Sequence, residues 1–352
     1  MRMRMWSTAR SAVLVGGLAA LFLVIAGCAR GGEETGTLYI YNWTYYIPDE
    51  VIEAFEEEFE VDVVYDVFAS NEEMFAKLRA GGTGYDIAFP SGDYVSIMAN
   101  QEMLQEIDIS RLENWGNLDP AVLAKIDFDE GNRYSVPYMM GAAGVAVNTE
   151  QVSDYERGWS IFSREDLQGR MTMLDDMREV FGGALAYLGY SVNTIDQDEI
   201  DEARELVRTW SENLLRFDAE AFGKAFANGE VWVVHGYQEN VFLELDENDW
   251  EKVDFFIPAE GGAMYMDSMV LLKEAKNVET AYEFMDYILR ADVMAEIADY
   301  LGLPSINVPS RALMETTPRY EIADLANATF KNDLGLELDR YNEAWQAIRV
   351  GR

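Results

Sequence analysis

The sequence predicts an α/β fold, and three observations carry the prediction. Short runs of β-branched and aromatic residues, at Leu38–Tyr41, Val61–Phe68 and Tyr85–Phe89, alternate with amphipathic stretches of helical period. Helix-start chemistry stands between them, at Pro48-Asp49-Glu50 and at Ser70-Asn71-Glu72-Glu73. At 352 residues and 49% hydrophobic, the chain is also long enough for two domains, each with its own core. Strands alternating with helices of this length argue for a largely parallel sheet.

In chain order, the first 27 residues read as a targeting signal outside the fold. Arg2, Arg4 and Arg10 precede an apolar run from Ser11 to Gly27, which is 17 residues long and followed at once by Cys28. A membrane span needs about 20 apolar residues, so the run is short for one. Its end, Ile25-Ala26-Gly27-Cys28, resembles a bacterial lipobox, which implies that Cys28 is lipidated and becomes the first residue. Cys28 is the sole cysteine, so no disulfide forms within one molecule. Residues 28–36 are polar and Gly-containing and suit a flexible tether.

The strand Leu38–Tyr41 runs into a loop, Asn42-Trp43-Thr44-Tyr45-Tyr46, that carries three large aromatics. Loops at the carboxyl ends of strands are where α/β folds bind ligands. Trp and Tyr there supply polarisable walls with hydrogen-bonding tips, or else pack under the next helix. That helix, with Pro48 at its first position, puts Val51, Ile52, Phe55 and Phe59 on one face, leaving Glu56, Glu57 and Glu58 as its solvated side. Val61–Phe68 reads as a strand, Ser70 caps a helix to about Ala80, and Gly81–Gly84 stops it. The third strand, Tyr85–Phe89, leads into the loop Pro90–Tyr94. Asp127–Asn132 reads as a surface turn, since the late acid of a calcium loop is missing. Tyr134–Thr149 is an extended apolar run long enough to leave one domain and enter another, and Val231–Gly236 reads as a second such passage. Arg170–Asp175 is a strand, Asp176–Leu188 a helix, and Val253–Ile257 and Met264–Leu271 are strands. Helices at Val278–Leu289, Asp292–Leu301 and Leu336–Val350 complete the chain.

Composition limits the chemistry. The formal charge of −37 argues against a nucleic-acid partner and favours a cationic one, although an acidic, Lys-poor surface is also an adaptation to salt. With one histidine and one cysteine, zinc clusters and Cys-His pairs are out, and no Gly-x-Ser-x-Gly elbow presents a serine to His235. His235 reads instead as the end of a strand with a satisfied ring. A two-carboxylate glycosidase survives on composition, because 64 acids always supply some pair, but nothing singles one out.

Taken together, Tyr41-Asn42-Trp43-Thr44, Ser70-Asn71-Glu72, Pro90-Ser91, Asp175–Phe181, Tyr265-Met266-Asp267-Ser268 and Asn332–Gly335 resemble the spermidine/putrescine-binding proteins of polyamine ABC transporters. The resemblance runs in order from about residue 37 to the C-terminus. It implies a two-lobe, periplasmic-binding-protein-like (type II) fold with hinged lobes, a membrane permease and ATPase as partners, and a monomer. The division expected is 37–142 with 267–312 for lobe one and 143–266 with 313–352 for lobe two. It implies aromatic walls at Trp43, Tyr46 and Tyr265, amine-binding carboxylates at Asp176, Glu179 and Asp267, and polar contacts from Thr44 and Ser91. Such a set suits a polyamine, whose methylenes want apolar walls and whose ammonium groups want carboxylates and aromatic faces. Asp176 and Glu179 are three apart at a helix start, where the helix dipole favours their ionised forms, although plain capping accounts for the pair as well.

Several positions depart from the family pattern. Tyr45 stands where a relative has a Glu, and Asp93 replaces a Tyr on the facing loop, as if a carboxylate had crossed the cleft. Val234 stands where an aromatic is expected, with Trp232 two residues earlier as its substitute, and Leu303 replaces a Tyr wall. Lys331 stands where a Gln contacts ligand; it either turns outward or pairs with Asp176 or Glu179 and shortens the pocket. Pairing would favour putrescine over spermidine, or a solute with a carboxylate of its own. The expected protein is a lipoprotein held by Cys28 in the periplasm or at the outer face of the cytoplasmic membrane, handing a polyamine to the permease. It is expected to perform no covalent chemistry and to use no cofactor or metal. Its rivals are a binder of another cation or an amino-carboxylate, a glycan-cleaving lipoprotein, and a surface lipoprotein with a degenerate cleft.

Overall fold

The chain is described by a computed structural model over residues 36–68, 70–81 and 84–350, without the side chain of Val350. The leader over 1–27, the lipid site at Cys28, the tether up to Thr35, and Gly82 and Thr83 of the glycine stop lie outside the described residues. The element order is β1 (Thr37–Trp43), α1 (Asp49–Phe59), β2 (Asp62–Phe68), α2 (Asn71–Arg79), β3 (Ile87–Ala88), α3 (Gly92–Asn100), α4 (Pro120–Leu123), β4 (Ser135–Gly141) and β5 (Gly144–Asn148). It continues with β6 (Met171–Met173), α5 (Met177–Leu188), α6 (Gln197–Asn213), β7 (Leu214–Phe217), α7 (Phe222–Ala227), β8 (Val233–Gly236) and α8 (Gln238–Phe242). The last elements are β9 (Val253–Phe256), β10 (Ala263–Leu271), α9 (Val278–Ile288), α10 (Ala291–Leu301), β11 (Thr329–Phe330) and α11 (Leu338–Val350).

Two sheets organise these elements. The first runs β11-β10-β3-β1-β2, with β4 also paired to β10; the second runs β7-β6-β8-β5-β9. Both are mixed, which corrects the expectation of largely parallel sheets. β1 is parallel to β2 and β3, and β6 to β7 and β8, but β10 is antiparallel to β3 and β4, and β5 to β8 and β9. The antiparallel pairs arise where the chain changes sheets. β4 ends in the first sheet at Gly141 and β5 begins in the second at Gly144, so Tyr134–Thr149 does make the passage. The second passage is not Val231–Gly236, because β8 stays within the second sheet beside β5; the chain returns along β10.

Local differences follow from pairing. Trp43 closes β1 because β1 and β2 pair as far as Trp43 and Phe68, so the aromatic loop begins at Thr44. Pro48 caps α1 rather than opening it, and α3 starts at Gly92, which puts Asp93 in a helical first turn rather than a loop. Two of the acids expected only to be solvated are bonded: Glu56 accepts the Val63 N–H at 2.6 Å, and Glu58 takes both Arg290 Nη atoms at 2.7 Å. Asp129 serves its turn by accepting from the backbone N–H groups of Arg133 and Tyr134 and from the Ser135 hydroxyl. His235 departs from expectation. It is fully buried in β8, edge-on to Trp159 at 5.0 Å, and neither ring nitrogen has a hydrogen-bond partner among the described residues. Burial drops its pKa to about 3, so it is neutral.

Three apolar clusters hold the layers. One carries Leu38, Ile40, Met139 and Met269 from the first sheet together with Val234 and Phe255 from the second. A second packs Trp159, Phe181, Trp210 and Trp345 over the second sheet, and a third packs Tyr41, Met74, Tyr85 and Met98 against the first. Helix α6, for which the sequence reading made no prediction, feeds the second cluster through Ile200, Ala203, Val207 and Trp210, a spacing of helical period.

Candidate ligand-binding site

The site is built on β10, where the register shifts between Asp267 and Ser268. A bulge there re-aims a side chain, and the Asp267 carboxylate is met by two hydroxyls. Tyr46 Oη donates to Oδ2 at 2.7 Å and Ser91 Oγ donates to Oδ1 at 2.6 Å. Ser91 is held in turn by Asn71, whose Nδ2 donates to Oγ at 3.0 Å and whose Oδ1 accepts the Ser91 N–H at 3.1 Å. Asp267 is 5% exposed, and burial pushes its pKa up to about 6 against the Ser91 and Tyr46 hydrogen bonds and the nearby Lys331 charge.

The aromatic loop divides its residues. The Trp43 indole is fixed by an Nε1 hydrogen bond to the Phe89 carbonyl at 2.8 Å and a tilted contact with Phe68 at 4.6 Å. Thr44 is exposed beside it, its N–H donating to the Phe68 carbonyl at 3.3 Å. Tyr45, at φ +56°, is 77% exposed. Tyr46 satisfies both sequence readings of its loop. Its ring packs in the core edge-on to Tyr138 at 5.2 Å, while its hydroxyl reaches Asp267.

The facing residues come from α5 and the segment after β11. Asp176 caps α5, its Oδ1 accepting the Glu179 N–H at 3.0 Å. Glu179 is buried and accepts from Lys331 Nζ at 2.6 Å and from Tyr237 Oη at 3.3 Å, both on Oε1. Burial raises the Glu179 pKa and the Lys331 charge opposes this. Lys331 is delivered by a pinned segment: Arg178 donates to the Asn332 carbonyl and to Asn193 Oδ1, and Asn193 Nδ2 donates to the Phe330 carbonyl. Asp93 lies near Lys331 and Arg178, yet burial outweighs those cations and raises its pKa.

Tyr265 projects from β10 with its ring edge-on to Tyr237 at 5.9 Å. Gly141 leaves room for it, since a Cβ there would lie 2.5 Å from Tyr265 Oη and 2.7 Å from Tyr320 Oη. Ser91, Asp93, Tyr265, Phe330 and Lys331 line a narrow gap. Trp232 is not brought to this gap. It precedes β8 and lies under the Arg170 guanidinium at 4.9 Å, at the amino ends of β6 and β8, whereas Asp176 and Tyr237 stand at their carboxyl ends. Val234 and Leu303 are buried core residues.

Two residues not singled out by the sequence join the site. Tyr237 caps α8 and supplies the aromatic of the second sheet. Glu239, in the first turn of α8, has its pKa pushed up to about 7 by burial, helped by the Asp267 charge. One acid among 64 carries no signal of its own.

The profile of a family described as bacterial extracellular solute-binding protein matches residues 50–324. The spermidine/putrescine-binding periplasmic protein of Escherichia coli (strain K12) is 34% identical over 343 residues, covering 95% of this chain and 98% of its own. A putrescine/cadaverine-binding protein of Pseudomonas aeruginosa is 33% identical, covering 94% of this chain and 99% of its own. Among solved structures, the TpPotD lipoprotein of Treponema pallidum is 46% identical with a TM-score of 0.87, over 89% of this chain and 99% of its own. The fold is the two-lobe, periplasmic-binding-protein-like α/β architecture. The chain belongs to the bacterial extracellular solute-binding protein family.

Proposed function

We propose that this chain captures a polyamine, putrescine or spermidine, between its two lobes and delivers it to an ABC permease and its ATPase. The observation that carries the reading is the Asp267 carboxylate, held by Tyr46 and Ser91, with Asp93, Tyr265 and Glu239 near enough to interact with its charge. An alkyl ammonium fits that chemistry: carboxylates poorly solvated by the fold gain a partner, and tyrosine faces take both charge and methylenes. The names of the relatives support the same class of ligand. In this reading Trp43, Thr44, Tyr46, Ser91, Asp93 and Asp267 contact the ligand from one side, and Asp176, Glu179, Tyr237, Glu239, Tyr265 and Lys331 from the other.

The lobes are 37–142 with 267–312 and 143–266 with 313–352. The change of sheet between β4 and β5 supports the first boundary of this division. Closure is a hinge motion driven by contacts that the ligand makes to both lobes. Cys28 anchors the protein by lipid in the periplasm or at the outer face of the cytoplasmic membrane, and the protein acts as a monomer without covalent chemistry.

Calorimetric titration of residues 29–352 with putrescine and spermidine, in moderate and high salt, tests the reading. One-to-one binding in the micromolar range, about −8 kcal/mol, is expected from at least one of them. A folded protein that gives no heat with either refutes it.

A further inference from the structure

The gap contains a cation of the protein's own. Lys331 Nζ stands 2.6 Å from Glu179 Oε1, with the two side chains 15% and 2% exposed. The same oxygen also receives the Tyr237 hydroxyl, so protein donors already occupy it. The ammonium is not a stray side chain. Its backbone N–H donates to the Met264 carbonyl, and the Arg178, Asn193 and Asn332 network fixes the residues on either side. Burial works to strip its proton, yet Glu179, Asp176 and Asp93 together outweigh burial and keep it charged. Lys331 also lines the gap beside Asp93 and Tyr265. Among the described residues Asp267 has no cation at ion-pair distance; its donors are the neutral Tyr46 and Ser91 hydroxyls.

We infer that Lys331 is a resident ammonium filling the Glu179 subsite, and that the cleft therefore selects a linear diamine, with one ammonium on Asp267, over a triamine. This inference rests on the polyamine reading above. A diamine can place an ammonium on Asp267 without displacing Lys331 from Glu179. A triamine long enough to bring an ammonium to Glu179 finds that carboxylate taken and a fixed like charge beside it, which disfavours binding through both repulsion and an unpaired ammonium. A solute with a carboxylate would have to draw Lys331 away from Glu179 and leave a buried acid without its cation.

The test is calorimetry with putrescine, cadaverine, spermidine and 4-aminobutyrate on the wild type, Lys331→Gln and Lys331→Arg. In the wild type, putrescine or cadaverine is expected to bind at least tenfold more tightly than spermidine. Lys331→Gln frees Glu179 and should raise spermidine affinity relative to putrescine by about tenfold or more. Lys331→Arg retains a cation against Glu179 and should keep the diamine preference. The inference fails alone if amines bind tightly but spermidine equals or exceeds the diamines in the wild type. It also fails alone if the ratio is the same in Lys331→Gln, or if 4-aminobutyrate binds best. If no amine binds any folded variant, the polyamine reading fails with it. Should Lys331→Gln not fold, the wild-type ranking and Lys331→Arg still decide.

Discussion

Replacing Asp267 by Asn separates what the carboxylate does for a ligand from what it does to the fold. Burial pushes its pKa from 3.8 up to about 6. For an acid whose folded pKa lies above its unfolded one, the native state binds more protons between the two values. Stability therefore falls as pH rises from about 4 to about 6, and the whole deficit is present at neutral pH. A shift of roughly two units corresponds to on the order of 3 kcal/mol. Asn carries no charge to desolvate, but its Nδ2 sets a donor against the Ser91 or Tyr46 hydroxyl, which costs about 1 kcal/mol. Ligand-free Asp267→Asn is thus expected to be more stable than the wild type by about 2 kcal/mol at pH 7.5, a Tm rise of roughly 5 °C, with the advantage reversed below about pH 4. Binding moves the other way. Loss of a charge-assisted hydrogen bond weakens putrescine binding by about tenfold to a hundredfold. Thermal unfolding at both pH values and calorimetry with putrescine measure the two effects. A variant no more stable at pH 7.5, or one that binds putrescine as the wild type does, would refute the reasoning.

Asp267 and Glu239, with pKa values raised to about 6 and about 7, should both be driven to the ionised form by a bound ammonium. Putrescine binding near pH 6.5 is therefore expected to release protons and to weaken as pH falls below about 7; binding heats that do not vary with the buffer's ionisation enthalpy would count against this. Glu179→Ala leaves the Lys331 ammonium buried without its partner, so denaturant unfolding should show a loss of about 3–5 kcal/mol and calorimetry a loss of more than about tenfold in polyamine affinity. Trp232→Phe should lower stability by about 1 kcal/mol through the Arg170 contact while leaving putrescine affinity within about twofold, and a collapse of affinity would return Trp232 to the cleft.

The order of elements over the first hundred residues is legible because each segment declares itself locally. Ser70 caps α2 by accepting the Glu73 N–H at 3.2 Å, and Val51 and Phe55 bury the predicted face of α1. The antiparallel pairs are not legible. β10 meets β3 and β4 across long sequence separations, and no local propensity encodes which neighbour a returning strand takes. Trp232 shows where a sound rule is misapplied: alternation places residues two apart on one face only within a strand, and β8 starts one residue later. Helix α6 could have been found, since Ile200, Ala203, Val207 and Trp210 keep helical period behind the Asp196 cap. For Lys331, sequence left pairing and an outward turn open; the pair with Glu179 is a tertiary fact, made by a segment 152 residues away.

The same distinction governs the acids. Much of the charge of −37 lies outside the cleft, where pairs such as Arg208 with Glu205 and with Glu212 are solvent-exposed, contribute little to stability and are screened by salt over about 10 Å. Such acids set the long-range field that draws a cation in. Asp267 and Glu239 differ in the direction of their pKa shifts, not in their chemistry. Exposed Glu58 and Glu106 are shifted down by their arginine partners, while Asp267 and Glu239 are shifted up by burial. An acid shifted up in the folded state lowers stability when it ionises, and a cation bound against it restores what was lost. Ligand binding and relief of the empty cleft are then one free-energy change. Residue counts cannot locate such a site, because what marks it is the solvent that the fold has taken away.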